Sequence, residues 1–371
     1  MANFAIDTRW AESKVAGAGT KTYIESLVRA LVDIDQENRY CLWGAPLPVS
    51  SPNLRTKRFS GEYRRAWQLI WKTIGWPPVD LIGPRCNLWH FTNYVAPPTT
   101  RPFVLSILDL TFVHHPEFVE PKNLEYLRRF VPDSLDRAEQ VLAISQATKD
   151  AILEEFDIPA GKVRVTPLAC DPVFFEPVGD DEIAGIKSKY GIDENYFLAV
   201  GTLEPRKNLK TLLLAFAGMR KATEDQLVVV GGQGWLFEET KELLRKLGLG
   251  SRVIFTDYAP RSELPALYAG AKAFVFPSFY EGFGIPVLEA MASGTPVISS
   301  NTSSLPEVGG GAALYFDPGD TKALKLALER ILSDEALRNR LAEAGHEQAA
   351  KFSWQRTAEL TLIAYKKALS R

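Results

Sequence analysis

Short apolar, strand-like runs alternate with segments of helical spacing along almost the whole chain, and this alternation limits the fold more than any other feature. Consecutive parallel strands need a crossover, usually a helix, so this rhythm predicts parallel sheets with helices on their faces. The first unit reads as a strand over Phe4–Asp7, a turn containing Gly17 and Gly19, and a helix. The apolar stripe of that helix is Tyr23, Leu27, Ala30, Leu31 and Ile34. Further strands are expected at Tyr40–Trp43, Leu88–Phe91, Phe103–Leu108 and Gln140–Ala143. Ser145 is placed to cap the helix that follows the last of these. A second series has strands at Tyr196–Val200, Gln226–Val230, Arg252–Phe255, Ala273–Phe276 and Pro296–Ser299.

The rhythm breaks between Thr166 and Asn195, where TPLACDPVFFEPVGDDE holds three prolines and no period, so the crossing between domains is expected there. At ~100–200 residues per domain, 371 residues suit two domains. The reading is therefore α/β, with two Rossmann-like domains facing each other across a cleft. Their expected limits are 1–170 and 171–352, with an amphipathic C-terminal helix, capped by Ser353, in 353–371 and packed back on the first domain. Ligands of such sheets bind beyond the carboxyl ends of the strands.

Composition removes several function classes. With 43 Lys plus Arg against 45 Asp plus Glu, the formal charge is −2, unlike the basic stripe of a nucleic-acid binder. Three scattered cysteines (Cys41, Cys86, Cys170) form neither a disulfide framework nor a zinc pattern, which suits a reducing cytosol. The start, MANFAIDTRW, lacks the features of a signal peptide, and no apolar run approaches the ~18–20 residues of a membrane span. A cytoplasmic protein is expected.

The most informative segment is SFYEGFGIPVLEAMASGTP, Ser278–Pro296, directly after a strand. Gly282 and Gly284 leave the backbone open to a ligand, Pro286 suits a first helical turn, and the helix start favours an anion. Glu281 in the loop and Glu289 in the helix are eight positions apart. Such carboxylates match a sugar or ribose diol by accepting charge-assisted hydrogen bonds. The plainer reading, two solvated glutamates near a helix start, weighs about as much for the segment alone. In Val200–Phe216, Arg206 and Lys207 precede a helix with an apolar face of Leu209, Leu212, Leu213 and Phe216, with Asn208 as its cap. Two cations at a helix start suit a diphosphate, although an exposed basic pair is the default without the neighbouring carboxylates. The turn at Gly17 and Gly19 is similarly anion-friendly but lacks the third glycine of a dinucleotide fingerprint, and Gly231-Gly-Gln-Gly234 carries the same weakness.

Together these pieces resemble the retaining glycosyltransferases of family 4, which have the GT-B fold. The resemblance rests on the E-x(7)-E pattern from Glu281 to Glu289, the EPRKN run, the N-terminal glycine turn, the FP-S-x-x-EGFG-x-P-x-LEAMA-x-G-x-P-V string and the F-S-W start of the last helix. It covers essentially the whole chain and is most specific over 274–298. It implies a nucleotide-sugar donor in the C-terminal domain and an acceptor in the N-terminal one. Glu289 would bind the ribose, Lys207 and Arg206 the diphosphate, and Glu281 the transferred sugar. Phe283 and Gly284 would touch sugar or phosphate through their backbone, and Gly17 and Gly19 would approach the phosphate from across the cleft. The implied reaction retains the anomeric configuration, needs no metal and no cofactor, and takes a GDP- or UDP-linked sugar. A resemblance to polysaccharide mannosyltransferases favours GDP-mannose, with a glycan or lipid-linked glycan as acceptor.

Two positions depart from the family. Thr202 stands where an arginine is frequent beside the phosphate, so Arg206 would supply that charge. Leu108 stands where many members carry a histidine close to the sugar; Asp109 remains at the strand end, and His114 and His115 follow as a solvent-facing loop pair. Leu108 keeps open a catalytically silent sugar-nucleotide- or glycan-binding subunit as an alternative, and among enzymes the alternative is a GT-B epimerase. Asp33-Ile-Asp35 spells D-x-D but reads as solvated charge at a helix end, so no metal is assigned. Finally, Arg55–Pro78 holds three of the eight tryptophans, with Trp67, Ile70, Trp71 and Ile74 on one stripe and Arg64, Arg65, Gln68 and Lys72 beside it. Residues 62–76 fit either a core-facing helix, the reading given more weight, or a peripheral contact with an anionic membrane.

Overall fold

The computed structural model describes residues 1–12, 17–59, 61–193, 195–219, 222–232 and 237–370, without the side chains of 17–18, 61–65 and 237–238. Val15, Ala16, Gln233 and Gly234, which belong to two of the glycine turns named above, lie outside the described residues. The chain forms two compact units, Met1–Leu168 with Ser353–Arg371, and Ala169–Phe352.

The first unit is built on seven parallel strands: β1 (Asn3–Thr8), β2 (Arg39–Gly44), β3 (Leu54–Arg58), β4 (Leu88–Phe91), β5 (Phe103–Ile107), β6 (Gln140–Ala143) and β7 (Val163–Val165). Their order is β3-β2-β1-β4-β5-β6-β7, with Phe4 opposite both Tyr40 and Leu88. β4, β5 and β6 are buried from end to end, as expected of parallel strands covered on both faces. The helix Gly17–Ile34 buries Tyr23, Leu27, Ala30 and Leu31, but Ile34, its last residue, points outward and is 37% exposed. Asp35 just beyond is not solvated as expected. Its carboxylate accepts the Tyr40 hydroxyl and Asn38 Nδ2 (2.9 Å), so it organises the turn into β2.

The core of this unit is aromatic. Trp89 stacks on Phe91 at 5.5 Å, and Trp43 packs against Trp89 (5.3 Å) and Trp71 (6.2 Å). The helix Gly61–Thr73 therefore divides the stripe that its sequence suggested. Trp71 is buried and donates its indole N–H to Pro77 O (2.8 Å), and Trp67 and Ile70 are half-buried. Ile74 is 70% exposed, alongside exposed Leu69 and Trp76. The side chains of Arg64 and Arg65 lie outside the described residues.

The C-terminal helix Trp354–Leu369 belongs to this unit. Ser353 Oγ accepts the Arg356 N–H, and the buried face includes Ala358, Thr361, Ala364 and Tyr365. Tyr365 Oη lies 2.7 Å from His90 Nδ1, His90 Nε2 lies 2.7 Å from Ser106 Oγ, and that hydroxyl lies 2.7 Å from Tyr23 Oη. A buried polar chain thus ties the returning helix to β4, β5 and the first helix. Burial pushes the His90 imidazole down to about 3, so the chain is neutral at ordinary pH.

The second unit has six parallel strands: β8 (Tyr196–Val200), β9 (Gln226–Val230), β10 (Val253–Phe255), β11 (Ala273–Phe276), β12 (Val297–Ser300) and β13 (Ala313–Phe316). They run in the order β10-β9-β8-β11-β12-β13. The helix Leu209–Ala217 buries Leu212, Leu213 and Phe216 against this sheet. The stretch read as irregular holds a helix, Asp180–Tyr190, without a buried residue. Three acidic residues in its first turn favour the dipole, Gly191 (φ 66°) ends it, and Lys189 and Tyr190 both donate to the Glu263 carboxylate. Among the described residues, no helix is long and apolar enough to cross a membrane.

Candidate active site

In the second unit the ends of β8, β9 and β11 converge through loops that fix one another. Gly231, after β9, lies so close to Gly201, after β8, that a Cβ on Gly231 would stand 1.9 Å from Gly201 O. After Gly201 comes exposed Thr202, then the turn Pro205–Lys207. Asn208 adopts φ 54° and begins the helix Leu209–Ala217, but its side chain does not cap that helix. Instead its Nδ2 donates to Pro277 O (3.0 Å) and Pro318 O (2.8 Å), pinning the turn to the loop after β11. That loop answers by donating Phe279 N–H to Arg206 O (2.9 Å).

Glu281 sits where these loops meet. Its carboxylate takes Lys207 Nζ at 2.6 Å and Arg206 Nη1 at 2.8 Å. Arg206 also reaches Tyr280 O (2.7 Å) and Glu204 Oε1 (2.6 Å). The Glu281 N–H donates to Ser303 Oγ, and Ser304 Oγ donates to the carbonyls of Glu281 and Phe283, so the loop is held from both sides. Burial acts to raise the Glu281 carboxyl, but the charges and hydrogen bonds of Arg206 and Lys207 outweigh it and hold the group at about 2. Burial lowers the Lys207 ammonium and Glu281 opposes that shift, leaving it below its ordinary value. The two cations are thus engaged by carboxylates rather than standing as an open basic pair. Thr202, Lys207, Phe276 and Ser278 share a small cavity of about 30 Å³.

Glu289 lies on the helix Ile285–Ala292, whose start is set by Gly284 at φ 112° and Pro286 in the first turn. A Cβ on Gly284 would meet Leu305 Cδ2 at 2.8 Å, so position and conformation both demand glycine. Glu289 is 6% exposed; Tyr268 Oη donates to its Oε2 (3.1 Å), and Arg261 Nη2 stands 3.9 Å from Oε1 and 3.8 Å from Asp171 Oδ2. Burial pushes this carboxyl up to about 6, against the lowering effect of Arg261 and Tyr268. Neither glutamate is solvated, so the plainer reading of the motif fails. The two carboxylates are nonetheless unlike. Glu281 is neutralised by two cations, whereas Glu289 is enclosed with an arginine only at long range.

The remaining expected site residues lie in the first unit. Gly17 begins the helix Gly17–Ile34, and Gly19 is exposed in its first turn with open space where a Cβ would be. Asp109 follows β5 and accepts the Thr111 N–H (2.9 Å), while Leu108 beside it is buried at 8% exposure. His114 and His115 turn to Glu155 (3.8 Å) and Glu117 (3.1 Å). Motif reading missed Arg261, Ser303 and Ser304, single polar residues outside any motif, and Tyr268, a buried residue of the short helix Leu264–Ala269.

The sequence that builds this geometry is similar to that of known proteins. The family model "Glycosyl transferases group 1" matches residues 183–348, the stretch that carries Arg206, Lys207, Glu281 and Glu289. The chain is 34% identical over 299 residues to the O-antigen chain mannosyltransferase B of Escherichia coli, covering 77% of this chain and 78% of that protein. It is 33% identical over 239 residues to the serotype-specific mannosyltransferase WbdA of Escherichia coli, covering 63% of this chain but only 29% of that longer protein. Its fold is similar to sucrose-phosphate synthase from Thermosynechococcus elongatus, with a TM-score of 0.75 over 100% of both chains at 23% identity. The chain belongs to the group 1 glycosyltransferases, the retaining hexosyltransferases of family 4, and is a glycosyltransferase with the GT-B fold.

Proposed function

We propose that the protein transfers mannose from GDP-mannose to a growing, lipid-linked glycan with retention of configuration and without a metal. The observation that carries this reading is the ion-paired Glu281–Lys207–Arg206 cluster, with the enclosed Glu289 on the helix that follows its loop. In it, Glu289 accepts the ribose hydroxyls, Lys207 and Arg206 hold the diphosphate, and Glu281 orients the hexose, with the backbone of Gly282, Phe283 and Gly284 alongside. An ammonium carries three donors and a guanidinium five, so a diphosphate can be held without displacing Glu281. As the anomeric carbon–oxygen bond breaks, charge grows on the departing diphosphate, where these cations are most effective. The acceptor hydroxyl forms the new bond on the same face, and its proton passes to the leaving phosphate oxygen. The unit 169–352 takes the donor and the unit 1–168 the acceptor, with Gly17, Gly19 and Asp109 contributed by the latter.

Mannose is favoured by the likeness to O-antigen chain mannosyltransferase B and to the serotype-specific mannosyltransferase WbdA of Escherichia coli. The test is incubation of the purified protein with GDP-mannose or UDP-glucose and an α-mannosyl acceptor, with EDTA present. Nucleotide release only with GDP-mannose, and an α-linked product by NMR, supports the reading. An inverted product or a strict metal requirement defeats it, and sugar isomerisation without acceptor favours an epimerase.

A cytoplasmic, peripheral location at the inner membrane face fits a lipid-linked acceptor. Leu69, Ile74 and Trp76 are exposed beside Lys72, and the edge strand β3 of the same unit bears exposed Arg55, Lys57 and Arg58. Cosedimentation with anionic but not neutral vesicles is the expected result; equal recovery with both sinks the membrane contact.

A further inference from the structure

The first unit contains a cavity of about 370 Å³ at the carboxyl ends of its central strands, larger than the 30 Å³ cavity beside Lys207 and sharing none of its residues. Its floor is Arg9, directly after β1. Arg9 is 4% exposed, holds Asp7 through Nε (2.8 Å) and Nη2 (2.6 Å), and lies 4.4 Å over the Trp43 ring. Gly44, at φ 133°, permits this, because a Cβ there would stand 2.5 Å from Arg9 N. The floor is therefore rigid before any ligand arrives.

The walls are Trp71, Tyr126, Phe130, Pro97 and Pro98, all flat and apolar. Around them are Lys72, whose ammonium stands 4.0 Å from the Tyr126 ring centroid, and Asp133, which pairs with Arg137 at 2.8 Å. Burial pushes the Tyr126 phenol up to about 12, so it remains a hydrogen-bond donor. The enclosed indole N–H of Trp10, also on this cavity, meets no acceptor among the described residues.

These features discriminate between ligand classes. A polyanion needs several surplus positive charges, but Arg9 is matched by Asp7 and Arg137 by Asp133, which leaves the single charge of Lys72 among the lining residues. A lipid chain would leave the charged rim and the buried indole N–H unsatisfied. A pyranose has apolar C–H faces that fit flat aromatic walls, and a hydroxyl edge that both donates to carboxylates and accepts from N–H groups. The volume lies within the ~300–1,000 Å³ of small-molecule sites.

We infer that this cavity is a saccharide subsite for a sugar unit of the acceptor, with Tyr126 and Phe130 against the ring and Lys72 and Asp133 on its hydroxyls. The inference rests on the reading that the acceptor is a glycan, but not on the identity of the donor.

The test uses the whole chain and α-linked mannotriose without nucleotide, followed by saturation-transfer NMR and calorimetry. Lys72→Ala and Asp133→Ala change exposed side chains and should fold normally, which melting curves check. Each should weaken mannotriose binding about 5- to 10-fold, the effect of losing one hydrogen bond of ordinary strength. Each should raise the acceptor KM by a similar factor while the donor KM and donor hydrolysis stay fixed. Wild-type mannotriose affinity in both variants, or no mannotriose binding by the wild-type protein at millimolar concentration, overturns the subsite. Displacement of mannotriose by neutral vesicles, which the membrane contact proposed above does not hold, also overturns it, in favour of a lipid chain. If GDP-mannose fails to bind while mannotriose binding is lost in the variants, the donor assignment fails and the subsite stands.

Discussion

Glu289→Gln should stabilise the protein at neutral to alkaline pH while weakening its grip on the donor. The native carboxylate is 6% exposed, and burial raises it to about 6 from the ordinary 4.5 of a glutamate. Because the folded state binds the proton more tightly, stability falls as pH rises from about 4.5 to about 6 and stays reduced above that. At 1.36 kcal/mol per pKa unit, the charged form costs about 2 kcal/mol at pH 8. The amide keeps an oxygen for the Tyr268 hydroxyl and removes the charge. It should therefore recover most of that 2 kcal/mol at pH 8, falling to under about 1 kcal/mol at pH 5, where the native carboxyl is largely protonated. At roughly 2–4 °C per kcal/mol for a unit of this size, calorimetry should show a rise of about 4–8 °C at pH 8. The same variant should bind the nucleotide donor at least 10-fold more weakly, since a charge-assisted ribose contact of ~1.5–3 kcal/mol is lost. Wild-type donor affinity should itself decline below pH 6. A variant that melts lower than wild type at pH 8 refutes the electrostatic argument, and unchanged donor affinity removes Glu289 from the site.

Glu281→Gln should act in the opposite direction. With its carboxyl held at about 2, its stabilisation is fully present above about pH 4.5 and is lost as pH falls towards 2, so neutralising it should lower the melting temperature at pH 7. A higher melting temperature would show that the Lys207 and Arg206 pairs do not stabilise the fold. Lys207→Ala should reduce kcat roughly 10²-fold if it meets charge that grows on the leaving diphosphate; an effect on KM alone makes it a plain binding residue. Leu108→His should fold normally and change donor hydrolysis or sugar selectivity, and Asp109→Ala should cut transfer more than His114→Ala or His115→Ala. Wild-type transfer by Asp109→Ala would remove that residue from the mechanism. Gly231→Ala should lose soluble expression or melt far below wild type, since its Cβ would overlap Gly201 O; a normal melting curve would mean that the two strand ends can separate.

The strands easiest to see in the sequence are the buried ones. β4, β6, β8, β9 and β11 are short apolar runs because helices cover both faces, and their limits agree with the runs. β3 escaped notice because LRTKR is an edge strand with four exposed residues, where charge deters further pairing and hides the period. The helix Asp180–Tyr190 escaped for the complementary reason. It buries nothing, so it has no stripe, and its evidence was confined to an acidic first turn and Gly191. Ile34 and Ile74 show the converse error, in which an apolar residue at the right spacing falls past the end of the contact and faces outward.

The candidate site shows the same limit in its chemistry. Residue types and spacing bring Glu281, Arg206 and Lys207 to mind together, but not that Arg206 would also bind Glu204 and Tyr280 O, leaving the cluster near neutral. Nor does E-x(7)-E say which glutamate is the stable anion. Both are equally acidic as letters; three-dimensional partners separate them to about 2 and about 6. The cause is the route of the backbone. Glu281 leaves a loop laced to the Arg206 turn, so two cations arrive with it, whereas Glu289 is carried inward by a helix against Tyr268 and has, among the described residues, Arg261 at 3.9 Å as its cation. A group that folding keeps charged is suited to hold a fixed dipolar arrangement around a sugar. A group left under-compensated gains most when a ligand brings new hydroxyl donors, which is why the ribose contact is proposed for Glu289 rather than for Glu281.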